Sequence, residues 1–265
     1  MTPPLQRWPV STRQPCRVSK TAQLPLALPY PIEQRFDCFL PTDAPEPRVL
    51  LAAIQNGQRV YIDGPSGSGK THLLLACAAA ASEAGKSVAY LPLATLQTHA
   101  AQALDAQPCV DVICIDELDA AHADPQAGTL PGLDALPIPP TPLESALFAL
   151  HNRQGDAGGA LIYAARAAPS ELEFDLPDLR SRLSHCLRLT LKPLPEAQRR
   201  ELLVARAQRR GLALEDAALD YLFRRVGRDL TTLTTLLDQL DRESLAAKRR
   251  LSVPFLRDVL ERSAR

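Results

Sequence analysis

Gly64-Pro65-Ser66-Gly67-Ser68-Gly69-Lys70-Thr71 is the stretch that most narrows what this chain can fold into. Glycines at fixed spacing precede a lysine and a hydroxyl residue, the pattern of a phosphate-binding loop. Small residues let the backbone curl until several N–H groups face one anion. A helix starting near Gly69 brings the positive end of its dipole to the same point. Lys70 then reaches the β and γ phosphates of a nucleotide, and the Thr71 hydroxyl becomes a magnesium ligand. Gly64 to Thr71, together with His72, form the candidate nucleotide-binding set. Upstream, Arg59-Val60-Tyr61-Ile62-Asp63 reads as a short strand, so the strand, loop and helix that the motif requires follow one another. A Gly/Ser loop arising by chance would lack those flanks.

Asp111-Val112-Ile113-Cys114-Ile115-Asp116-Glu117 is a second constraint. An apolar strand of this kind suits the centre of a parallel sheet covered on both faces. Its terminal acids fall where α/β sheets place their ligands. Asp116 is placed to hold Mg²⁺ through water, and Glu117 to polarise an attacking water. The alternative is a strand that simply ends in solvated acids. Further strands are expected at 87–91, 160–165 and 187–191. Helices are expected at 47–57, 70–84, 94–104 and 143–153, with a helical context at 178–183. Residues 119–142, rich in Pro, Gly, Ala and Asp, read as a surface insertion.

From Glu196 onward the pattern is helical only. Leu219, Leu222, Phe223 and Val226 share one face of a helix over 216–226, and Leu230, Leu233, Leu237 and Leu240 do so in the next. These stripes are core positions. The fold class expected is therefore α/β, a P-loop parallel-sheet nucleotide-binding domain over 32–194 with a small all-helical lid over 195–265.

Thirty basic and 30 acidic side chains cancel, so no global field draws the chain to nucleic acid or to an anionic membrane. No apolar run approaches the roughly 20 residues that span a bilayer. The six cysteines form no CxxC pair, which fits scattered buried thiols in a reducing, cytoplasmic setting. Residues 1–21 carry Arg7, Arg13, Arg17 and Lys20 without an acid, and read as a disordered basic tail, an upstream start-codon artefact, or a nucleic-acid arm. Residues 22–31 are punctuated by prolines and cannot be helical. They suit either a strand packed on its own domain or a linear peptide for a preformed groove.

The phosphate loop with His72-Leu73-Leu74, Ile115-Asp116-Glu117, Arg180-Ser181-Arg182-Leu183 and Leu236-Leu237-Asp238-Gln239-Leu240-Asp241 together resemble the AAA+ ATPases of the DnaA branch. Within that branch the chain is most similar to the Hda family of DnaA-related regulators, over roughly residues 22–263. Gln23, Leu24, Leu26 and Leu28 resemble a QL-x-LPL sliding-clamp-binding peptide. The resemblance implies ADP or ATP with Mg²⁺ as ligands, and the DNA polymerase III β sliding clamp and DnaA as partners. It implies an arginine finger at Arg182, with Arg180 in reserve, that promotes hydrolysis of DnaA-bound ATP and so prevents over-initiation. The other reading of Arg182 is a structural salt bridge. The chain stops just past the lid, from which no helix-turn-helix module and no sequence-specific DNA binding are expected; self-assembly is compatible with the family.

Two departures from the family stand out. The strand end that should carry the polar sensor 1 residue reads Ala164-Ala165 before Arg166, and the sensor 2 position is Thr231, with Arg228 one turn earlier as a substitute. Both sensors read the γ phosphate, so their loss predicts tight nucleotide binding with weak intrinsic ATPase activity. Other classes remain in view: an autonomous P-loop enzyme, which would not need the Arg180/Arg182 segment, a helicase-loader-type ATPase, which would not need the Gln23 to Leu28 peptide, and a DnaA-type ATPase, which would be expected to carry a helix-turn-helix module. A GTPase is disfavoured because no NKxD stretch occurs.

Overall fold

Apolar runs rich in branched and aromatic residues become five parallel strands: β1 (Arg59–Asp63), β2 (Val88–Pro92), β3 (Val112–Asp116), β4 (Ala160–Ala165) and β5 (Leu187–Thr190). They are hydrogen-bonded in the order β2-β3-β4-β1-β5. The computed structural model describes residues 33–41, 44–122, 141–212, 214, 216–225, 232–234, 236–237, 239–240 and 256–257. Every residue of β3 and β4 is buried. Such strands have no wet face, which is why their sequences are continuously apolar instead of alternating. The register pairs Asp63 with Ala165 and Pro92 with Asp116, so the ends that lead to the phosphate loop and the acid pair lie level.

Helices cover the sheet on both sides: α1 (Glu46–Asn56), α2 (Lys70–Glu83), α3 (Leu93–Leu96), α4 (Ala100–Ala106), α5 (Pro142–Asp156) and α6 (Pro177–Ser184). Successive strand residues point to opposite faces. Val60, Ile62, Cys114 and Ile162 therefore pack with Leu50 and Ile54 of α1 and Leu73, Leu74 and Cys77 of α2. Tyr61, Ile113, Ile115, Leu161 and Tyr163 pack instead with Leu104, Leu147, Leu150 and Leu179 on the other side. Each fully buried Leu or Ile contributes about 1.5–3 kcal/mol relative to exposure.

The helical part comprises α7 (Glu196–Arg209) and α8 (Asp216–Arg225), with helical turns at 232–234, 236–237, 239–240 and 256–257. Leu219, Leu222, Phe223, Leu233, Leu237 and Leu240, the described members of the two stripes expected from spacing, form a separate cluster together with Leu203 and Leu256. Val226 and Leu230 lie outside the described residues.

Two expectations need correction. The helix expected at 94–104 is divided: α3 stops at Gln97, which takes φ 48°, and a 3₁₀ turn precedes α4. Each half buries its own leucine, Leu93 and Leu104, so burial overrides the continuous helical pattern. Asp119 was expected to open the surface insertion, but it sits in a 3₁₀ turn, Leu118–His122, anchored by fully buried Leu118. At its other end Thr141 and Pro142 belong to the start of α5, not to the insertion; 123–140 and the segments 1–21 and 22–31 lie outside the described residues. No helix among the described residues is long and apolar enough to cross a membrane.

Candidate functional site

β1 delivers the chain to the phosphate loop and α2 carries it away. Gly69 caps α2 at φ 99°, and a Cβ there would lie 2.9 Å from the Phe39 ring. No side chain fits between the loop and that ring. Lys70 Nζ donates to the carbonyls of Gly64 (2.6 Å) and Pro65 (2.8 Å), closing the loop on its own lysine. Burial holds the Lys70 ammonium below its usual pKa; Asp119 and Asp116 oppose this, while Arg166 works with it. Within the loop, Ser68 Oγ is buried with no partner among the described residues. A curled backbone, a lysine and an orphaned hydroxyl fit an anion with several oxygens.

Asp116 ends β3 and is almost fully buried. Its Oδ2 accepts from the Tyr90 hydroxyl (2.9 Å) and its Oδ1 from the Glu117 backbone N–H (2.9 Å), so the carboxylate is held rigidly. Glu117 follows at φ 56°, a left-handed conformation uncommon for a side chain of this kind. Burial raises its pKa, and the neighbouring Asp116 and Asp119 raise it further. A carboxyl shifted this way is suited to take a proton from water.

These groups converge. Lys70, Thr71, Asp116, Glu117, Asp119 and Arg166 line one cavity of about 340 Å³, within the usual size range of ligand sites. Ser66, Gly67, Gly69 and His72 line it from the loop side, Gln34 from the segment before the sheet, and Arg206 and Thr234 from the helical part. Among the described residues no group of three metal-ligating side chains occurs. A magnesium ion here would rest on Thr71, Asp116, water and nucleotide oxygens, the sparse protein coordination usual for that ion.

His72 lines the cavity in a different role from a phosphate ligand. Its Nε2–H donates to the Arg35 carbonyl (2.9 Å), and its ring lies 5.6 Å from that of Phe39. Burial pushes its pKa down to about 4, so it is neutral at physiological pH. It ties the segment before the sheet to α2.

The strand end read as lacking a polar sensor is followed directly by one charged group that faces the site. Arg166 donates its backbone N–H to Asp119 Oδ1 (2.9 Å), and its Nε lies 3.2 Å from Asp119 Oδ2. The sequence reading passed over this pair. An arginine directly after a fully buried strand was the available signal for it.

Arg182 is elsewhere. It is exposed on α6 and lines a second cavity with Gly57, Gln58 and Arg59, where β1 begins, at the opposite end of the sheet from Lys70. No carboxylate is paired with it among the described residues. Arg180 is exposed on the same helix. The start of α6 is held by buried Glu144 of α5, whose carboxylate accepts the backbone N–H groups of Asp175 (3.2 Å) and Leu176 (2.8 Å). Gln23, Leu24, Leu26, Leu28, Arg228 and Thr231 lie outside the described residues.

The geometry agrees with comparisons to known proteins. Residues 196–260 match the family model described as the Hda lid domain, and residues 36–113 match that of the IstB-like ATP-binding proteins. Domain III of the replication initiation protein DnaA from Thermotoga maritima superposes with a TM-score of 0.68 at 19% identity, over 88% of this chain and 98% of that one. AMPPCP-bound DnaA from Aquifex aeolicus gives 0.60 at 17% identity, over 80% of this chain and 66% of that one. The Thermotoga maritima RuvB Holliday junction branch migration motor gives 0.52 at 21% identity, over 82% and 66%. The chain thus spans about two thirds of the length of those two longer proteins. A parallel sheet in the order β2-β3-β4-β1-β5, a phosphate loop after β1 and the match over residues 196–260 give this chain the fold of DnaA domain III, with a C-terminal part similar to the Hda lid domain.

Proposed function

We propose that this chain is a regulatory AAA+ protein that docks on the DNA-loaded sliding clamp through Gln23, Leu24, Leu26 and Leu28 and stimulates hydrolysis of DnaA-bound ATP with Arg182. The observation that carries this reading is the position of Arg182: exposed, without a carboxylate partner among the described residues, and at the end of the sheet away from its own phosphate loop. A guanidinium so placed serves a neighbour's phosphate, not its own. There it neutralises charge that develops on the transferring phosphoryl group.

The chain's own cavity has a supporting role. Gly64 to Thr71 cradle the phosphates of ADP or ATP, Lys70 leaves its loop carbonyls to pair with them, and Asp116 and Thr71 hold Mg²⁺. When bound, the nucleotide supplies an anionic ligand common to loop and lid. AMPPCP bound to the Aquifex DnaA supports a nucleotide in this fold. Glu117, with its raised pKa and position beside Lys70, favours a second reading in which the chain also turns over its own ATP.

Hydrolysis of DnaA-bound ATP, measured with the clamp loaded on DNA, separates these readings. Arg182→Ala is expected to lower stimulation by on the order of a thousandfold. Glu117→Gln is expected to leave stimulation intact. Unchanged stimulation with Arg182→Ala would overturn the primary reading, and robust ATPase activity of the chain alone would overturn the expectation of weak intrinsic turnover.

A further inference from the structure

The cavity beside Arg182 is larger than the nucleotide cavity, about 720 Å³, and opens where β1 and β5 begin. Its ionisable lining groups are Arg59, His151, Arg182, His185 and Cys186, with no carboxylate among them. His151 is held neutral: burial pushes its pKa to about 4, and Arg59 and Arg182 act in the same direction. Burial also pushes the Cys186 thiol up to about 12. The standing positive charge of the cavity is therefore that of two guanidinium groups.

Arg59 is built into this place. A Cβ added to Gly155 would lie 1.5 Å from Arg59 Nη2 and 2.6 Å from Cζ, so the guanidinium occupies space that any other residue of α5 would fill. Gly155 stands in the last turn of α5, where its missing Cβ leaves room for the arginine. Arg59 Nε is nevertheless buried without a hydrogen-bond partner among the described residues. A buried charged donor without an acceptor is costly, and an anion drawn close to the same guanidinium would offset part of that cost.

We infer that this cavity is an oxyanion site in which Arg59 acts beside Arg182, and that its ligand is a polyphosphate presented by the partner protein. The inference rests on the reading of Arg182 as a residue that works in trans. Two fixed positive charges and a cavity of this size suit a phosphate chain better than one carboxylate. Arg59 anchors the chain of phosphates while Arg182, at the exposed edge, reaches the phosphoryl group in transfer.

Two measurements test this. In the first, the full chain is saturated with Mg-ADP to fill its own phosphate loop, and inorganic pyrophosphate is titrated in by calorimetry. A second binding event is expected, at least tenfold weaker in Arg59→Gln and partly restored in Arg59→Lys. Gly155→Ala displaces the guanidinium without removing it and is expected to weaken binding likewise. No second event, or equal affinity in Arg59→Gln, overturns the site; a packing role alone would lower the melting temperature without changing this affinity. In the second, stimulated hydrolysis of DnaA-bound ATP is followed. Arg59→Gln is expected to raise the half-saturating concentration of the chain about tenfold. Pyrophosphate binding with unchanged stimulation by Arg59→Gln would make the ligand a free anion and overturn its presentation by the partner. Full stimulation by Arg182→Ala would instead sink the proposed function, leaving the calorimetry to judge the cavity.

Discussion

Arg166 and Glu117 reach one cavity from adjacent strands, with Asp119 between them holding the arginine at two points. Burial keeps the Lys70 ammonium low and the guanidinium adds to that, while it opposes the rise in the Glu117 carboxyl. Arg166→Ala removes a cation from the site while leaving Asp119 unopposed. Binding of a fluorescent ATP analogue is expected to weaken about tenfold, in line with loss of one charge-assisted contact, with a smaller effect on ADP. Two buried histidines set the response to acid. His72 and His151 both fall from the usual 6.5 to about 4 on burial. Between those values the unfolded chain binds more protons than the folded one, so stability falls as pH drops below about 6.5. The slope approaches about 1.4 kcal/mol per histidine for each pH unit. Urea midpoints at pH 7.5 and 5.5 should show this loss, and His72→Gln should reduce it.

Element by element, α6 depends on a lock made outside it. Glu144 accepts two backbone N–H groups at its start, and Pro177 opens its first turn. An amide cannot accept both hydrogens as a carboxylate does. Glu144→Gln should therefore lower stability by about 2 kcal/mol in urea titrations. It should also reduce stimulation of DnaA-bound ATP hydrolysis more than nucleotide binding, because the displaced helix carries Arg182. The strands, the phosphate loop, the acid pair and the leucine stripes were legible in the sequence because each is a local pattern set by pleat, pitch or loop curvature. The Glu144 lock and the Arg166–Asp119 pair were not. Their partners are 32 and 47 residues apart in sequence and meet only once the sheet has formed. The break at Gln97 escaped for a related reason: it satisfies the burial of Leu93 and Leu104, not a preference of Gln97 itself.

At the scale of the whole molecule, the two cavities lie at opposite ends of the sheet, one with a lysine loop and one with two arginines. Gln34, Lys70, Arg206 and Thr234 come from the segment before the sheet, the sheet domain and the helical part, and all line the nucleotide cavity. ADP at a hundredfold its dissociation constant should raise the melting temperature by roughly 5–10 °C, and Lys70→Ala should remove that rise. The segment before the sheet is also clamped from another side. Arg210, which caps α7, grips the Glu33 carboxylate with Nε and Nη2, and the pairing holds that carboxyl below its usual pKa. Arg210 lies one turn along from Arg206, so this clamp joins the segment before the sheet to the helix that lines the mouth of the nucleotide cavity.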